Sequence, residues 1–147
     1  MKALIQRVSQ ADVTVNHEVV GAIGIGFVVL LGVTHTDTPA EAEWLAQKVA
    51  GLRLFEDSNG KMNLGLADVG GSILVISQFT LYGEASKGRR PSWIAAARPE
   101  QAEPLIKLFI HLLQEQGLPV ATGVFGAHMI VNIQNNGPVT VMVEREA

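Results

Sequence analysis

Cysteine is absent from the 147 residues. This excludes a disulfide framework, thiol catalysis and thiolate metal ligation, and it fits a reducing compartment. Long apolar runs are missing as well. The longest, residues 21–33, has 13 residues of which four are glycine, short of the ~18 that a membrane span needs. It lies inside the chain, so it does not read as a signal peptide. The expectation is a cytoplasmic protein with no membrane segment. Strong charge of one sign is also lacking, since 11 basic and 14 acidic residues leave a net −3. Nothing global draws such a chain to nucleic acid, and an RNA substrate would have to be held by a local patch or by its end. One local patch exists: Lys87-Gly88-Arg89-Arg90-Pro91-Ser92-Trp93 places three cations in four positions beside an aromatic.

Familiar catalytic patterns are missing too. His17, His35, His111 and His128 share no metal-ligand spacing and read as solvated or core-edge histidines. There is no Gly-x-Ser-x-Gly elbow and no Walker-type loop. Gly21, Gly24 and Gly26 precede an apolar strand rather than a helix, which favours strand bends over a phosphate cradle. Asp57 and Asp68 fall in loops without a neighbouring His or carboxylate that would make either a general base. No catalytic triad is visible, and no metal or cofactor is expected.

What the chain does contain is a well-patterned globular composition, 48% hydrophobic and 17% charged, which predicts one domain over 1–147. Strands are expected at residues 3–8, at 13–15 and 19–20 around a turn at Asn16-His17-Glu18, and at 24–33, the last buried on both faces. Thr38-Pro39-Ala40-Glu41 is a capping box opening a helix to about residue 52, with Trp44, Leu45, Val49 and Leu52 on one face. Asp57-Ser58-Asn59-Gly60 and Gly70-Gly71 are turns. Residues 72–81 read as a central strand. A second helix over 99–116 carries the stripe Leu105, Leu108, Phe109, Leu112 and Leu113, with Pro104 either kinking it or marking its first turn. Strands at 119–124, 128–134 and 139–144 complete an α+β, largely antiparallel pattern with two helices.

Two segments break this pattern where it predicts buried strand. Ser77-Gln78-Phe79-Thr80-Leu81 follows the apolar run Ile73-Leu74-Val75-Ile76. The two polar side chains either satisfy backbone groups at a strand end or, with neighbouring N–H groups, form an oxyanion-type cradle for an ester carbonyl. Thr80 as a nucleophile would need an activating base, and none is evident. Asn136-Gly137-Pro138-Val139-Thr140 precedes Val141-Met142-Val143. Proline cannot donate to a sheet ladder and glycine frees the backbone, so this is either an ordinary turn or a specialised geometry; local sequence leaves the isomer of the Gly-Pro bond open.

Together the two segments resemble the paired motifs of the D-aminoacyl-tRNA deacylase family. The likeness continues through Ile5-Gln6-Arg7-Val8, Val13-Thr14-Val15, Leu31-Gly32-Val33, Arg53-Leu54-Phe55, Lys61-Met62-Asn63, Lys87-Gly88-x-Arg90-Pro91-Ser92 and Phe125-Gly126-Ala127. The resemblance implies a barrel-like sheet with two helices, a homodimer with its sites at the subunit interface, and hydrolysis of the ester of D-aminoacyl-tRNA and of mischarged glycyl-tRNA. It implies that Ser77, Gln78, Phe79 and Thr80 line the pocket, that Phe125 packs near the terminal adenine, and that the 2′-OH of the terminal ribose helps activate water. It further implies a cis Gly137-Pro138 whose carbonyls meet the substrate amino group and exclude an L side chain, a specificity built by clashes. Lys87, Arg89 and Arg90 are the expected tRNA contacts. Trp93, His128 and Asn136 depart from the commoner family residues. Three other readings stand beside this one: a noncatalytic tRNA-end binding module, a purely structural dimer in which both motifs merely finish strand ends, and a related branch that uses trans Gly-Pro against certain L-aminoacyl-tRNAs.

Overall fold

Strand β1 (Lys2–Val15) is paired along both edges, and the computed structural model, which describes residues Met1–Ala147, is organised around it. Along the chain follow β2 (Glu18–Ile23), β3 (Gly26–Gly32), α1 (Pro39–Gly51), β4 (Phe55–Glu56), β5 (Met62–Leu64), α2 (Leu66–Val69), β6 (Ser72–Ser77), a 3-10 turn (Phe79–Tyr82), α3 (Pro99–Glu115), β7 (Val120–Thr122) and β8 (Ile130–Glu144). One edge of β1 pairs antiparallel with β8 from Lys2↔Glu144 to Thr14↔Ile130. The other pairs antiparallel with β3 and then with β2. β6 and β7 extend the sheet beyond β3 in parallel, giving the order β2-β1-β3-β6-β7. The fold is therefore α+β with a barrel-like sheet that is largely antiparallel, as expected, and the β3–β6–β7 part of it is parallel. A third, short helix, α2, was not foreseen.

The sheet curls until β2 meets β7 and the barrel nearly closes. A Cβ on Gly21 would lie 2.6 Å from the Thr122 carbonyl oxygen, so closure requires glycine there. The β1–β2 turn has Asn16 and His17 at φ 50 and 67, the left-handed pair that suits a two-residue hairpin.

Side-chain alternation sorts two cores. Phe27, Val29, Leu31, Ile73 and Val75 point to the face covered by α1 and α3, against Leu45, Val49, Phe109 and Leu113. Val28, Leu74 and Ile76 point into the barrel. β3 is thus buried on both faces, as its continuous apolar run predicts. β1 serves both cores by changing face. Ala3 and Ile5 join the helix-side core, whereas Val8, Ala11 and Val13 join the barrel interior. The reversal occurs where the β1–β8 register shifts, between Gln6 and Gln10, because an odd insertion swaps the faces of a strand.

The sequence-predicted strand over 72–81 is shorter. β6 ends at Ser77, and Gln78 (φ −145, ψ 76) turns the chain into the 3-10 turn. The chain can fold back there because β3 ends at Gly32: a Cβ at that position would meet Gln78 O at 3.1 Å, Leu81 Cβ at 3.2 Å and Tyr82 Cδ2 at 3.2 Å. The strands expected at 128–134 and 139–144 are one strand, β8, with an internal bulge. Pro104 lies inside α3, which begins at Pro99, so it does not mark the first turn; lacking an N–H, it leaves the helical acceptor four residues back unused.

The predicted capping box is present. Glu41 Oε2 accepts from the Thr38 N–H (2.8 Å) and hydroxyl (2.6 Å), and Thr38 Oγ1 also accepts from the Ala40 N–H (3.3 Å). Those bonds from Thr38 hold the Glu41 carboxyl below its ordinary range. Glu41→Gln should destabilise the fold by about 1 kcal/mol at neutral pH, a typical capping contribution. A carboxylate with a lowered folded-state pKa stabilises fully above its unfolded value and loses that contribution as pH falls through the folded one. Denaturant melts should therefore show the difference between parent and variant at pH 7 shrinking below about pH 4.

Candidate active site

The end of β6 opens into a cleft of about 380 Å³. Its floor is Leu31 and Val33 from β3 and the following turn, together with Ser77 and Gln78. One wall is Phe79 and Trp93; the other is the start of α3 with Ala102 and Ile106; Phe125 and Gly126 close the far end. A largely apolar slot with a few polar groups at one place is the usual form of a site that binds a small ligand or a ligand end.

Phe79 and Trp93 meet edge to face, with ring centroids 5.7 Å apart at 78°. Trp93 reaches this position across Gly83, where a Cβ would lie 2.3 Å from the indole ring. The segment holding Trp93 is tied to the loop after β3. Thr34 Oγ1 donates to Ala95 O (2.5 Å), His35 Nε2 lies 2.6 Å from Ile94 O, and Ala97 N–H donates to Val33 O (2.9 Å). From the first turns of α3, Gln101 Nε2 donates to the carbonyls of His35 (2.9 Å) and Asp37 (3.0 Å).

Chemically, the polar end of the cleft is built from the strand-to-turn transition. Gln78 Nε2 donates to Thr80 Oγ1, which fixes the Gln78 amide. The first bond of the turn runs from Leu81 N–H to Gln78 O (3.2 Å), so the N–H groups of Phe79 and Thr80 precede it and find no acceptor within the protein. Unpaired donors beside a Ser hydroxyl and a fixed amide can stabilise negative charge developing on a carbonyl oxygen. Thr80 Oγ1 has Gln78 as its side-chain partner, and no acid or base hydrogen-bonds to it. No three His, Asp or Glu side chains converge anywhere in the chain.

The structure thus brings Ser77, Gln78, Phe79 and Phe125 together around one cleft. Thr80 stands one step behind its lining as the partner of Gln78. Lys87, Arg89 and Arg90 are exposed in the loop between the 3-10 turn and α3, whose ends are clipped by Glu84 and Ser92, each donating its N–H to the other's carbonyl at 2.8 Å.

Gly137 and Pro138 do not line this cleft. Their peptide bond is cis, and both are exposed on the β8 bulge at the sheet edge. Gln6 pairs with Thr140 and Val8 with Asn135, so Arg7 alone faces residues 136–139. Asn135 Nδ2 staples the base of the bulge by donating to Arg7 O (3.0 Å) and Val139 O (3.2 Å). Arg7 itself is buried without a carboxylate. Its Nε donates to Asn136 O (3.1 Å), its Nη1 to Leu54 O (2.8 Å) and its Nη2 to Asn136 Oδ1 (3.4 Å).

Arg7 and Asn135 are the site-shaping residues that residue-level reading missed. One signal was available: Ala3, Ile5 and Arg7 share a buried face, and a charge in that phase is anomalous. The cleft-lining residues Leu31, Val33 and Ala102 carried no such signal, being ordinary apolar residues.

With the geometry in hand, the comparisons assign the chain. The sequence profile described as D-Tyr-tRNA(Tyr) deacylase matches residues 4–144. A D-aminoacyl-tRNA deacylase of Thermus aquaticus is 58% identical over 144 residues, covering 98% of this chain and 95% of that protein. Its counterpart in Chloroflexus aurantiacus is 59% identical, covering 98% and 90%. The chain belongs to the D-Tyr-tRNA(Tyr) deacylase family. A solved structure named c-Myc DNA Unwinding Element Binding Protein superposes with a TM-score of 0.92 at 43% identity, covering all of both chains. Another, a probable eukaryotic D-amino acid tRNA deacylase, superposes with a TM-score of 0.80 over 97% of each chain; at 18% identity it speaks for the fold alone.

Removing the Arg7 guanidinium leaves the Leu54 and Asn136 carbonyls without a donor, so Arg7→Met should cost about 2–3 kcal/mol in a denaturant melt. Arg7→Lys, which keeps the charge but not the planar fork, should fall between Arg7→Met and the parent.

Proposed function

We propose that this protein hydrolyses the ester joining a D-amino acid, or glycine, to the 3′-terminal adenosine of tRNA, releasing free amino acid and tRNA. The observation that carries this reading is the meeting of Ser77, Gln78, Phe79 and Phe125 around one cleft in a chain of the D-Tyr-tRNA(Tyr) deacylase family. The relatives' shared name supplies the substrate class.

In this mechanism the terminal adenosine enters the apolar part of the cleft, with Phe125 packing near the adenine. The ester carbonyl lies at the polar end. Water adds to that carbonyl, giving a tetrahedral oxyanion held by the unpaired N–H groups of Phe79 and Thr80 beside Ser77 and Gln78. Collapse expels the ribose oxygen, which takes a proton, and the neighbouring 2′-OH assists the proton transfers that no protein base is placed to perform. Thr80 fixes Gln78 and is not the nucleophile.

The protein works as a homodimer of single-domain subunits in the cytoplasm. The exposed Gly137-Pro138 bulge of one subunit enters the cleft of the other. Its backbone carbonyls receive the substrate amino group, and its bulk excludes an L side chain, which admits D-amino acids and glycine alike. Lys87, Arg89 and Arg90 meet phosphates close to the 3′ end.

Deacylation of matched D-Tyr-tRNA and L-Tyr-tRNA by the purified protein, with and without chelator, tests this directly. Loss of the D-ester alone, unaffected by chelator, is expected. Turnover of the L-ester would point to the related L-accepting branch, and binding of tRNA with turnover of neither ester to a noncatalytic module. Thr80→Ala should retain most of the D-ester activity; complete loss with the fold intact would restore Thr80 as a candidate nucleophile.

A further inference from the structure

Eleven lysines and arginines are spread over a chain of net charge −3, yet only Arg98 and Lys107 pair with a carboxylate. Three of the unpaired cations gather on one face, away from the cleft. Lys48 Nζ lies 5.4 Å and Arg145 Cζ 5.2 Å from the centre of the Trp44 ring. Arg53 borders the same ring across a shallow depression of about 520 Å³ that Lys48, Gln47 and Leu52 also line. Arg145 is flanked in sequence by Glu144 and Glu146 and forms an ion pair with neither.

The cluster is held in place by the fold. Lys48 sits one helical turn beyond Trp44 on α1. The Arg145 backbone is locked to Met1 by two bonds, Arg145 N–H to Met1 O (3.0 Å) and the Met1 ammonium to Arg145 O (2.6 Å). Arg53 Nη1 donates to Asn63 Oδ1 (3.2 Å). Like charges collected without partners repel one another, and a polyanion relieves that repulsion. A broad, shallow seat with spaced cations suits a sugar–phosphate backbone better than a small enclosed ligand.

Its position links it to the site. Leu54, next to Arg53, gives its carbonyl to Arg7, and the same guanidinium holds Asn136 beside Gly137-Pro138. One buried side chain therefore separates the basic platform from the bulge.

Resting on the tRNA-ester reading above, we propose that Lys48, Arg53 and Arg145 around Trp44 form a second nucleic-acid contact. It takes backbone phosphates of the acceptor arm whose 3′ end lies in the partner subunit's cleft. The loop with Lys87, Arg89 and Arg90 then serves the terminus, and the Trp44 platform serves the arm behind it.

The test compares the parent with a K48Q/R53Q/R145Q variant on two esters, D-Tyr-tRNA and a D-tyrosyl oligonucleotide reduced to the terminal CCA. For the variant, KM on the full tRNA should rise about tenfold with kcat unchanged, and the slope of log KM against log salt should flatten by about three, close to one per cation removed. Both constants on the short ester should stay as in the parent. An unchanged KM on both substrates, or an equal loss on both, overturns the platform. Filter binding of uncharged tRNA makes the test independent of turnover. Weaker binding by the variant, about tenfold at low salt, supports the platform even if the parent hydrolyses neither ester, a result that would instead overturn the enzymatic reading. Equal binding by parent and variant overturns the platform alone.

Discussion

Arg7 is a buried guanidinium that no carboxylate neutralises, and its charge is shared among the carbonyls of Leu54 and Asn136 and the Asn136 side chain. Burying a cation is tolerable only when its donors are satisfied, so these acceptors must stay where they are. Two of them belong to the β8 bulge and the third to the chain leaving α1. The same residue therefore braces the exposed Gly137-Pro138 segment and anchors the stretch that leads to β4. It stands at the point where β1 changes from the helix-side core to the barrel interior. A register break is a weak place in a sheet, and here the strongest donor in the strand is set against it.

The cleft is made by a different kind of constraint, the abrupt end of β6. Parallel strands β3 and β6 run side by side until Leu31↔Ser77, after which Gly32 leaves room for the chain to fold back over it. The fold-back places the first N–H groups of a 3-10 turn beside Ser77 and Gln78 with no intramolecular acceptor. A strand continuing to Leu81 would have used those donors in the ladder. The site exists because the strand stops. α3 and the Trp93 segment then wall it, tied down through Thr34, His35 and Gln101.

Much of this was readable in the residues before any coordinates. The Thr38–Glu41 box announced α1, Asn16-His17-Glu18 between two short apolar runs marked a hairpin, and the unbroken apolar run of β3 told of burial on both faces. The interruptions at Ser77-Gln78 and Gly137-Pro138 marked both special segments. Other features were misread for definable reasons. The strand pattern over 72–81 outruns β6, which ends at Ser77, because propensity does not show where a neighbouring glycine makes room. The bulge in β8 looked like a gap between two strands because local sequence cannot show that β1 pairs on both sides of it. Parallel pairing of β3 with β6 depends on residues more than forty positions apart, and short-range patterning carries no such information.

By itself, then, the sequence determined the class of the longer segments: period, caps and turn chemistry are local properties, set by neighbours within a few residues. It also determined the identity of the polar groups available for chemistry, and its likeness to a known family pointed to their use. Only the tertiary structure decided which of those groups share a cleft and which stand apart on a sheet edge. Register, barrel closure and the bracing by Arg7 arise from contacts between residues distant in the chain, and no local preference encodes them. That is why Gln78 and Phe125 meet, while Gly137 and Pro138 are presented outward from the same chain.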